Sequence, residues 1–230
     1  MLSQSQSLIL PGLLKHFVKT KFNMRSTELW MRRIRNLTGF LGMILPWVTL
    51  LNAFIYTSIN GTPDGFWYEF SISETYYLGP VLAGVLTTAS IVLMCYDGYD
   101  WRDNLLTTLA GVCGLIIVLF PCKCPISPER VGIFQLTASV SDIIHTTAAL
   151  SFFALLAFNS AFLFTLGESD TRNKRIRKLI YRICAIGMLA AFALFPILST
   201  ARIYIVEAIA LTFFGVSWLV KGQVFGILKD

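Results

Sequence analysis

The sequence is poor in charged residues and in histidine. Only 14% of its 230 residues are charged, well below the roughly 25% that is usual in a soluble domain. Its two histidines, His16 and His145, are too few for a zinc centre built from several histidines. The signatures Gly-x-Ser-x-Gly, His-Glu-x-x-His, Walker A and Cys-x-x-Cys are also absent. These absences disfavour hydrolytic and redox enzymes, and nothing in the sequence predicts a metal ion or a cofactor.

Cysteine is present, but without the spacing of a disulfide-stapled domain. Cys95, Cys113 and Cys184 lie in or beside apolar segments, where thiols usually pack as small apolar groups. Cys122 and Cys124 stand together in the run Pro-Cys-Lys-Cys-Pro. They could pair with each other or with a second subunit, so their oxidation state is left open.

The most prominent feature of the sequence is a set of six long apolar segments. Each has roughly the 20 residues that a helix needs to cross a bilayer. The segments are Leu37–Ile59, Tyr77–Tyr96, Leu105–Pro121, Ile143–Leu166, Ile183–Leu198 and Tyr204–Val220. The sequence therefore predicts an all-α, multi-pass membrane protein. Residues 37–220 form its six-helix bundle, residues 1–36 a basic amphipathic arm and residues 221–230 a tail.

The distribution of Lys and Arg predicts the orientation of the chain. If the N-terminus is cytoplasmic, 16 of the 19 basic residues fall on the cytoplasmic side, and Lys123, Arg130 and Arg202 are the exceptions. The positive-inside bias thus predicts N-in and C-in topology in a cell membrane, which we expect to be a bacterial inner membrane. The net charge of +6 then faces anionic lipid headgroups and does not indicate nucleic-acid binding.

A polar site is predicted at the outer end of the bundle. Glu207 lies one to two turns inside the sixth segment. An ionisable side chain at that depth is costly and predicts a functional site. The alternative is a structural role, in which Glu207 forms an ion pair with Arg202. Segments two, four and six run in the same direction, so Glu74 and His145 are expected at the same depth. If these helices adjoin, they form an outward-facing pocket. Its predicted ligand-binding residues are Glu74, Tyr77, Asp142, His145, Asn159, Tyr204 and Glu207, with Asn159 deeper on the helical face of His145.

Local patterns predict several structural details. Ser71–Glu74 and Ser139–Asp142 have the spacing of capping boxes that open the second and fourth segments. The loop between Cys122 and Asp142 is expected to hold a short surface helix or a lid-like cover within residues 126–138. Segments five and six are joined by a short turn and are expected to be antiparallel neighbours. Small residues that would permit close helix approach are Ala83, Gly84, Gly111 and Gly114.

The acidic loop Tyr96–Asn104 lies on the otherwise basic side of the chain. One interpretation is an Asp/Gly turn in which Asp103 or Asn104 caps the third helix. A functional loop would bind a cation or act as a clamp, and the clamp is favoured, in which Asp97, Asp100 and Asp103 bind the basic segment Arg172–Arg182.

Some of these residues also carry a resemblance. The run from His145 to Phe153, with the pattern His-x3-Ala-x3-Phe, resembles a signature of the DRAM-like superfamily, which includes relatives of the FGF-receptor-activating protein. Ser71–Tyr77 and Tyr96–Asp100 are similar to patterns in bacterial six-span proteins. The resemblance covers segments two to six, and the long arm and the Cys-Lys-Cys loop depart from it. It implies a six-helix fold with His145 in a polar core position, and roles in lipid biology or membrane trafficking.

Three functional hypotheses follow. The leading one is a non-catalytic integral membrane protein that binds a lipid headgroup or small polar ligand in the outward-facing pocket. The second is a homo-oligomeric pore, regulated by a soluble cytoplasmic protein that contacts residues 1–36 and 167–182. The third is a lipid-modifying enzyme in which His145 is the general base and Glu207 orients it.

Overall fold

The computed structural model describes residues 6–61, 70–98, 100–167, 170–193, 200–224 and 226–228, with side chains from residue 27 onward except at positions 200–202 and 227. α-Helices make up most of this chain, which confirms the all-α prediction. They are α1 (Gln6–Asn60), α2 (Val81–Met94), α3 (Trp101–Leu119), α4 (Ala138–Phe158), α5 (Arg172–Ala193) and α6 (Thr200–Lys221). The backbone of α1 continues without a break through residue 36, where the sequence predicts the boundary between arm and bundle.

Four helices are long and apolar enough to cross a membrane. They are α1 from Thr27, α3, α4 with the π-helical turn Asn159–Leu163, and α6. The 14 residues of α2 extend only about 21 Å at 1.5 Å per residue. The first half of α5 is basic, and residues 194–198 of the predicted fifth segment lie outside the described residues. The described chain therefore supports four crossings by length and composition, and the predicted six-span topology remains a prediction.

The helices form a closed ring in chain order. Each packs mainly against its neighbours in sequence, and α6 closes the ring against α1. The packing of α5 on α6 confirms that the predicted fifth and sixth segments are neighbours. By contrast, α2, α4 and α6 alternate around the ring, and the contact between α4 and α6 is small. The predicted outer pocket, which depends on direct packing of these three helices, stays a prediction.

The apolar side chains divide between an interior and an outward belt. Trp218, Phe214, Leu156 and Met188 are fully buried in the ring. On the outward faces, large apolar side chains are exposed, such as Trp47 at 68%. A soluble protein rarely exposes a continuous apolar surface of this kind, so the belt is suited to contact with lipid.

Glycines bring two pairs of helices close together. A Cβ on Gly215 of α6 would lie 2.8 Å from the carbonyl oxygen of Gly39 on α1, so the two helices can cross this closely only because Gly215 has no side chain. The predicted contact glycines Gly111 and Gly114 face Ser90 on α2 within the same chain. Gly84 was expected to belong to this set, but a Cβ there would meet nothing within 4 Å.

The second predicted segment begins later than the sequence indicates. A 3-10 helix spans Ser73–Leu78, and α2 starts only at Val81. The break falls at Gly79 and Pro80, because proline lacks the N–H that would continue a preceding helix. Ser71 and Glu74 do form the reciprocal bonds of a capping box, with Ser71 N donating to Glu74 Oε2 at 2.7 Å. The capping box therefore lies at the start of the 3-10 helix. The prediction that it opens the second apolar helix is wrong, because that helix, α2, begins at Val81.

Two further local structures differ from the patterns expected. A β-hairpin, β1 (Arg130–Val131) paired antiparallel with β2 (Leu136–Thr137), stands in place of a surface helix, and the alternative of a lid-like cover stays a prediction. The turn of this hairpin includes Gly132, whose φ of +70° is a left-handed backbone conformation that residues with a side chain rarely adopt. Ser139–Asp142 is not a capping box, because α4 already begins at Ala138 and Asp142 accepts from a different segment.

Candidate functional site

The two ends of the ring carry different chemistry. The hairpin end holds the β-hairpin, the 3-10 helix Ser73–Leu78 and the start of α6. The basic end holds Arg35 of α1, the start of α5 and the end of α6. The predicted ligand-binding residues belong mainly to the hairpin end.

His145 of α4 binds the end of α3. Its Nδ1 donates to the carbonyl oxygens of Phe120 at 2.9 Å and Ile117 at 3.1 Å. The carbonyl of Ile117 needs this donor because residue 121, four positions on, is a proline without an N–H. Since both partners are acceptors, Nδ1 carries the proton. Nε2 is buried and has no hydrogen-bond partner among the described residues.

The segment after α3 is held by side chains at successive positions. Ser141 donates to the Pro121 carbonyl at 2.7 Å, and Tyr77 donates to the Cys122 carbonyl at 2.7 Å. Asp142 accepts from the Lys123 N–H at 2.9 Å. His145, Ser141, Tyr77 and Asp142 therefore satisfy main-chain groups that have no helix or strand partner.

Glu207 binds the segment that leads into the 3-10 helix. Its Oε2 accepts from Ile72 N at 2.6 Å and its Oε1 accepts from Ser73 Oγ at 3.1 Å. The expected structural alternative, a pair with Arg202, involves a side chain outside the described residues. Glu74 binds Ser71 in the same turn, so two carboxylates stabilise three consecutive residues.

A small cavity lies beside Glu207 in the middle of the ring. Its volume is about 50 Å³. All six helices line it, and its walls are mainly apolar, with Phe152 and Phe153 among them. Glu207 and Ser73 supply its polar groups. A space of this size holds a water molecule or a short alkyl group, and not a lipid headgroup.

Cys122 and Cys124 are free thiols and both are buried. Burial raises the pKa of both thiols, and the carboxylate of Glu74 raises each further. The thiolate is the reactive form, so neither side chain has the environment of a reactive cysteine. The negative charges of Glu207 and Asp142 also raise the pKa of Cys122, so these carboxylates lie near its thiol at the hairpin end.

The remaining predicted site residues lie elsewhere. Tyr204 donates to the carbonyl of Pro46 and contacts Thr49, so it joins α6 to α1. Asn159 is fully buried in the π-helical turn, and neither atom of its amide has a partner in the described chain. The fold thus brings together Glu74, Tyr77, Asp142, His145 and Glu207. Their hydrogen bonds go to the protein's own main chain, apart from the bond between Glu207 and the Ser73 hydroxyl.

His145 and Glu207 do not form the pair that the enzyme hypothesis requires. Nδ1 of His145 binds carbonyls of α3, and Glu207 binds the residues before the 3-10 helix. Neither side chain hydrogen-bonds the other. Within the part of the chain that the structure describes, no group of three His, Cys, Asp or Glu side chains is arranged to hold a metal ion.

The acidic loop is organised by local hydrogen bonds. Asp100 caps α3, since its Oδ1 accepts from Arg102 N and Asp103 N at 3.0 Å, so the predicted cap at Asp103 or Asn104 is wrong. Asp97 accepts from Asn104 Nδ2 at 2.8 Å. Asp103 is buried and accepts from the Tyr96 hydroxyl at 3.3 Å. All three predicted clamp residues therefore form hydrogen bonds within the loop itself.

The basic end contains a second cavity, of about 330 Å³. We call it the basic pocket. Five cationic side chains line it: Arg35, Lys174, Arg177, Lys178 and Lys221. None of the described residues that line it is acidic. Its walls also include aromatic and aliphatic side chains, Phe164, Leu166, Tyr181 and Val220.

The five cations differ in their own contacts. Three at the α5 wall have protein partners: Lys174 pairs with Asp170 at 3.2 Å, Arg177 donates to the Leu228 carbonyl and Lys178 to the Gly167 carbonyl. The Nε of Arg35 is buried without a hydrogen-bond partner among the described residues. The Lys221 ammonium lies 4.7 Å from the centroid of the Phe164 ring, with no hydrogen bond in the described chain.

The sequence contains a signal for this pocket that the hypotheses above do not use. Lys174, Arg177, Lys178 and Tyr181 have spacings of three and four, which place them on one face of a helix. Arg35 and Lys221 had no such signal, because they come from helices at opposite ends of the chain.

Comparison of the chain with family models, with curated proteins and with solved structures finds no match. The resemblance to the DRAM-like superfamily therefore stays a prediction.

Proposed function

We propose that this is a non-catalytic, six-span integral membrane protein that binds an anionic lipid headgroup or small anionic ligand in the basic pocket. The observation that carries the proposal is a cavity of about 330 Å³ lined by five cationic side chains and no described acidic one. Ligand sites in proteins usually have volumes of roughly 300–1,000 Å³. The pocket is therefore large enough for a headgroup.

Volume and hydrogen bonding favour this end over the hairpin end. The cavity beside Glu207 has about 50 Å³, below the usual range for a ligand site. Glu207, its one described charged side chain, already binds the Ile72 N–H and the Ser73 hydroxyl, and a ligand would have to displace those bonds. The class of function predicted from the sequence is kept, and its site is proposed at the other end of the bundle.

Electrostatics support an anionic ligand. Lys221 lies within electrostatic range of Arg35 and Arg177, and the buried Asp103 opposes them. Like charges that converge in a partly desolvated space repel one another, and an anion among them relieves that repulsion. In the proposed N-in, C-in topology this pocket opens to the cytoplasm, at the depth of the inner-leaflet headgroups.

The test measures the thermal unfolding midpoint of the full chain in neutral detergent, with inorganic pyrophosphate or with sodium chloride at equal ionic strength. We expect pyrophosphate to raise the midpoint, since a ligand at 100 times its Kd stabilises the folded state by about 2.7 kcal/mol. Lys221→Met keeps an unbranched apolar chain and removes the charge, so the shift should shrink. Lys123→Met is the matched control at the hairpin end. Equal midpoints in both salts would reject the proposal.

A further inference from the structure

We infer that the ligand of the basic pocket is a phosphate monoester, carried as the headgroup of a lipid. This rests on the proposed function, and it adds which anion binds and where it comes from.

The charge of the lining selects among headgroups. Five cations and no described acid face the space, so a headgroup that carries an ammonium group would place another positive charge among them. A phosphate diester without an amine brings one negative charge. A phosphate monoester has a second pKa near 6 and brings close to two at neutral pH. The pocket should therefore prefer the monoester to the diester, and both to a zwitterion.

The free donors indicate where the phosphate lies. Lys174, Arg177 and Lys178 already have protein partners. Arg35 Nε is buried and has no hydrogen-bond partner among the described residues, which is unusual for a buried polar atom, although the guanidinium carbon lies 5.7 Å from the centroid of the Tyr96 ring. Guanidinium and ammonium donors both bind phosphate oxygens strongly, the guanidinium often through two parallel hydrogen bonds. Arg35 and Lys221 are thus the expected direct contacts of the phosphate.

The position of the pocket indicates a lipid. Lys221 is the last residue of the apolar helix α6, and Arg35 lies on α1 just before its apolar stretch from Leu37. Phe164 and Leu166 follow the apolar helix α4 and form part of the wall. Cationic donors and apolar walls therefore meet at the edge of the apolar belt. A lipid presents its phosphate and its glycerol carbons at that boundary.

The experiment uses the full chain in phosphatidylcholine nanodiscs that contain a small fraction of one test lipid. The test lipids are phosphatidate, a monoester; phosphatidylglycerol, a diester; and phosphatidylethanolamine, a zwitterionic diester with an amine. Native mass spectrometry measures which lipid stays bound after release from the disc. We expect phosphatidate to bind about tenfold more tightly than phosphatidylglycerol, which corresponds to about 1.4 kcal/mol.

Two variants and one soluble competitor make the outcomes distinct. Lys221→Met and Arg35→Gln should each remove the preference for phosphatidate, and Lys123→Met should keep it. If one variant does not fold, the other and the wild-type lipid series decide the result. Soluble glycerol 3-phosphate should displace phosphatidate only weakly, because it lacks the acyl chains.

Equal binding of phosphatidate and phosphatidylglycerol would overturn the monoester assignment and leave the proposed anion site intact. Glycerol 3-phosphate that binds as tightly as phosphatidate would overturn the lipid assignment. Absence of binding by every anion, pyrophosphate included, would reject both the inference and the proposed function.

Discussion

Glu207 shows how an ionisable residue in an apolar helix can have a structural task. A buried carboxylate is costly unless donors satisfy it. Its two oxygens accept from Ile72 N and Ser73 Oγ, which are donors near the start of the 3-10 helix and have no helical acceptors of their own. The side chain thus stabilises a segment about 135 positions earlier in the chain. The same reasoning applies to His145, which satisfies the carbonyl that Pro121 leaves without a partner.

We expect Glu207→Gln to destabilise the protein by about 1–3 kcal/mol, because a neutral amide offers one oxygen to two donors and loses the strength of a charged acceptor. The measurement is the thermal unfolding midpoint in detergent. Glu28→Gln is the matched control, since Glu28 is exposed on α1. A Glu207→Gln protein as stable as wild type would show that the two hydrogen bonds contribute little to stability.

At the level of elements, the ring is closed where α1 meets α6. Gly39 and Gly215 let the two backbones approach, and the neighbours of Gly215 include a main-chain oxygen that cannot move aside. α2 and α3 use Gly111 and Gly114 in the same way. Of the small residues predicted to permit close helix approach, Gly111 and Gly114 thus serve contacts within one chain, and Gly84 does not.

Gly215→Ala and Gly84→Ala should change stability in opposite directions. A Cβ at Gly215 would lie 2.3 Å from Met43 Cγ and 2.8 Å from Gly39 O, so overpacking should cost about 1–3 kcal/mol. A Cβ at Gly84 meets nothing within 4 Å, and alanine is the better helix former by about 0.5–1 kcal/mol. Unfolding midpoints of the two variants test this. A stabilised Gly215→Ala would mean that the α1–α6 crossing is looser than described.

Considered as a whole, the molecule has an apolar belt between two polar ends of different character. The hairpin end has carboxylates bound to main-chain groups, and the basic end has cations around a cavity. Cations near the ends of membrane helices favour the cytoplasmic side. The N-in, C-in orientation, which was predicted from these same Lys and Arg residues, stays a prediction.

We expect both termini to be cytoplasmic. Fusion of alkaline phosphatase, which is active only outside the cytoplasm, should give no activity at either terminus, and fusion of a fluorescent protein that matures in the cytoplasm should give signal at both. A phosphatase fusion in the β-hairpin, between Gly132 and Gln135, is the positive control. Phosphatase activity at either terminus would contradict the topology and remove the pocket from the cytoplasmic face.

Much of the fold follows from local properties of the chain. A run of about 20 apolar residues has to form a helix in a bilayer because every main-chain polar group must be satisfied internally. For that reason α1, α3, α4 and α6 were predictable from run length alone. The capping box at Ser71 and Glu74 was predictable too, because its two residues are three positions apart. Where local signals competed, prediction failed, as at Asp100, which caps α3 in place of Asp103 or Asn104.

For the site residues at the hairpin end, the sequence predicts only that they lie near one another. Helix direction places Glu74, His145 and Glu207 at one depth, but it does not give their partners. Those partners are main-chain groups exposed by Pro121 and by the start of the 3-10 helix, and they become available only when other segments fold beside them.

The basic pocket depends on contacts that no stretch of sequence encodes. Arg35, Arg177 and Lys221 come from α1, α5 and α6, and they meet because the ring closes. Periodicity and charge assign each residue to a helix and to one side of the membrane. Which helices pack together is a property of side-chain shape across the whole ring, and that packing creates the cavity.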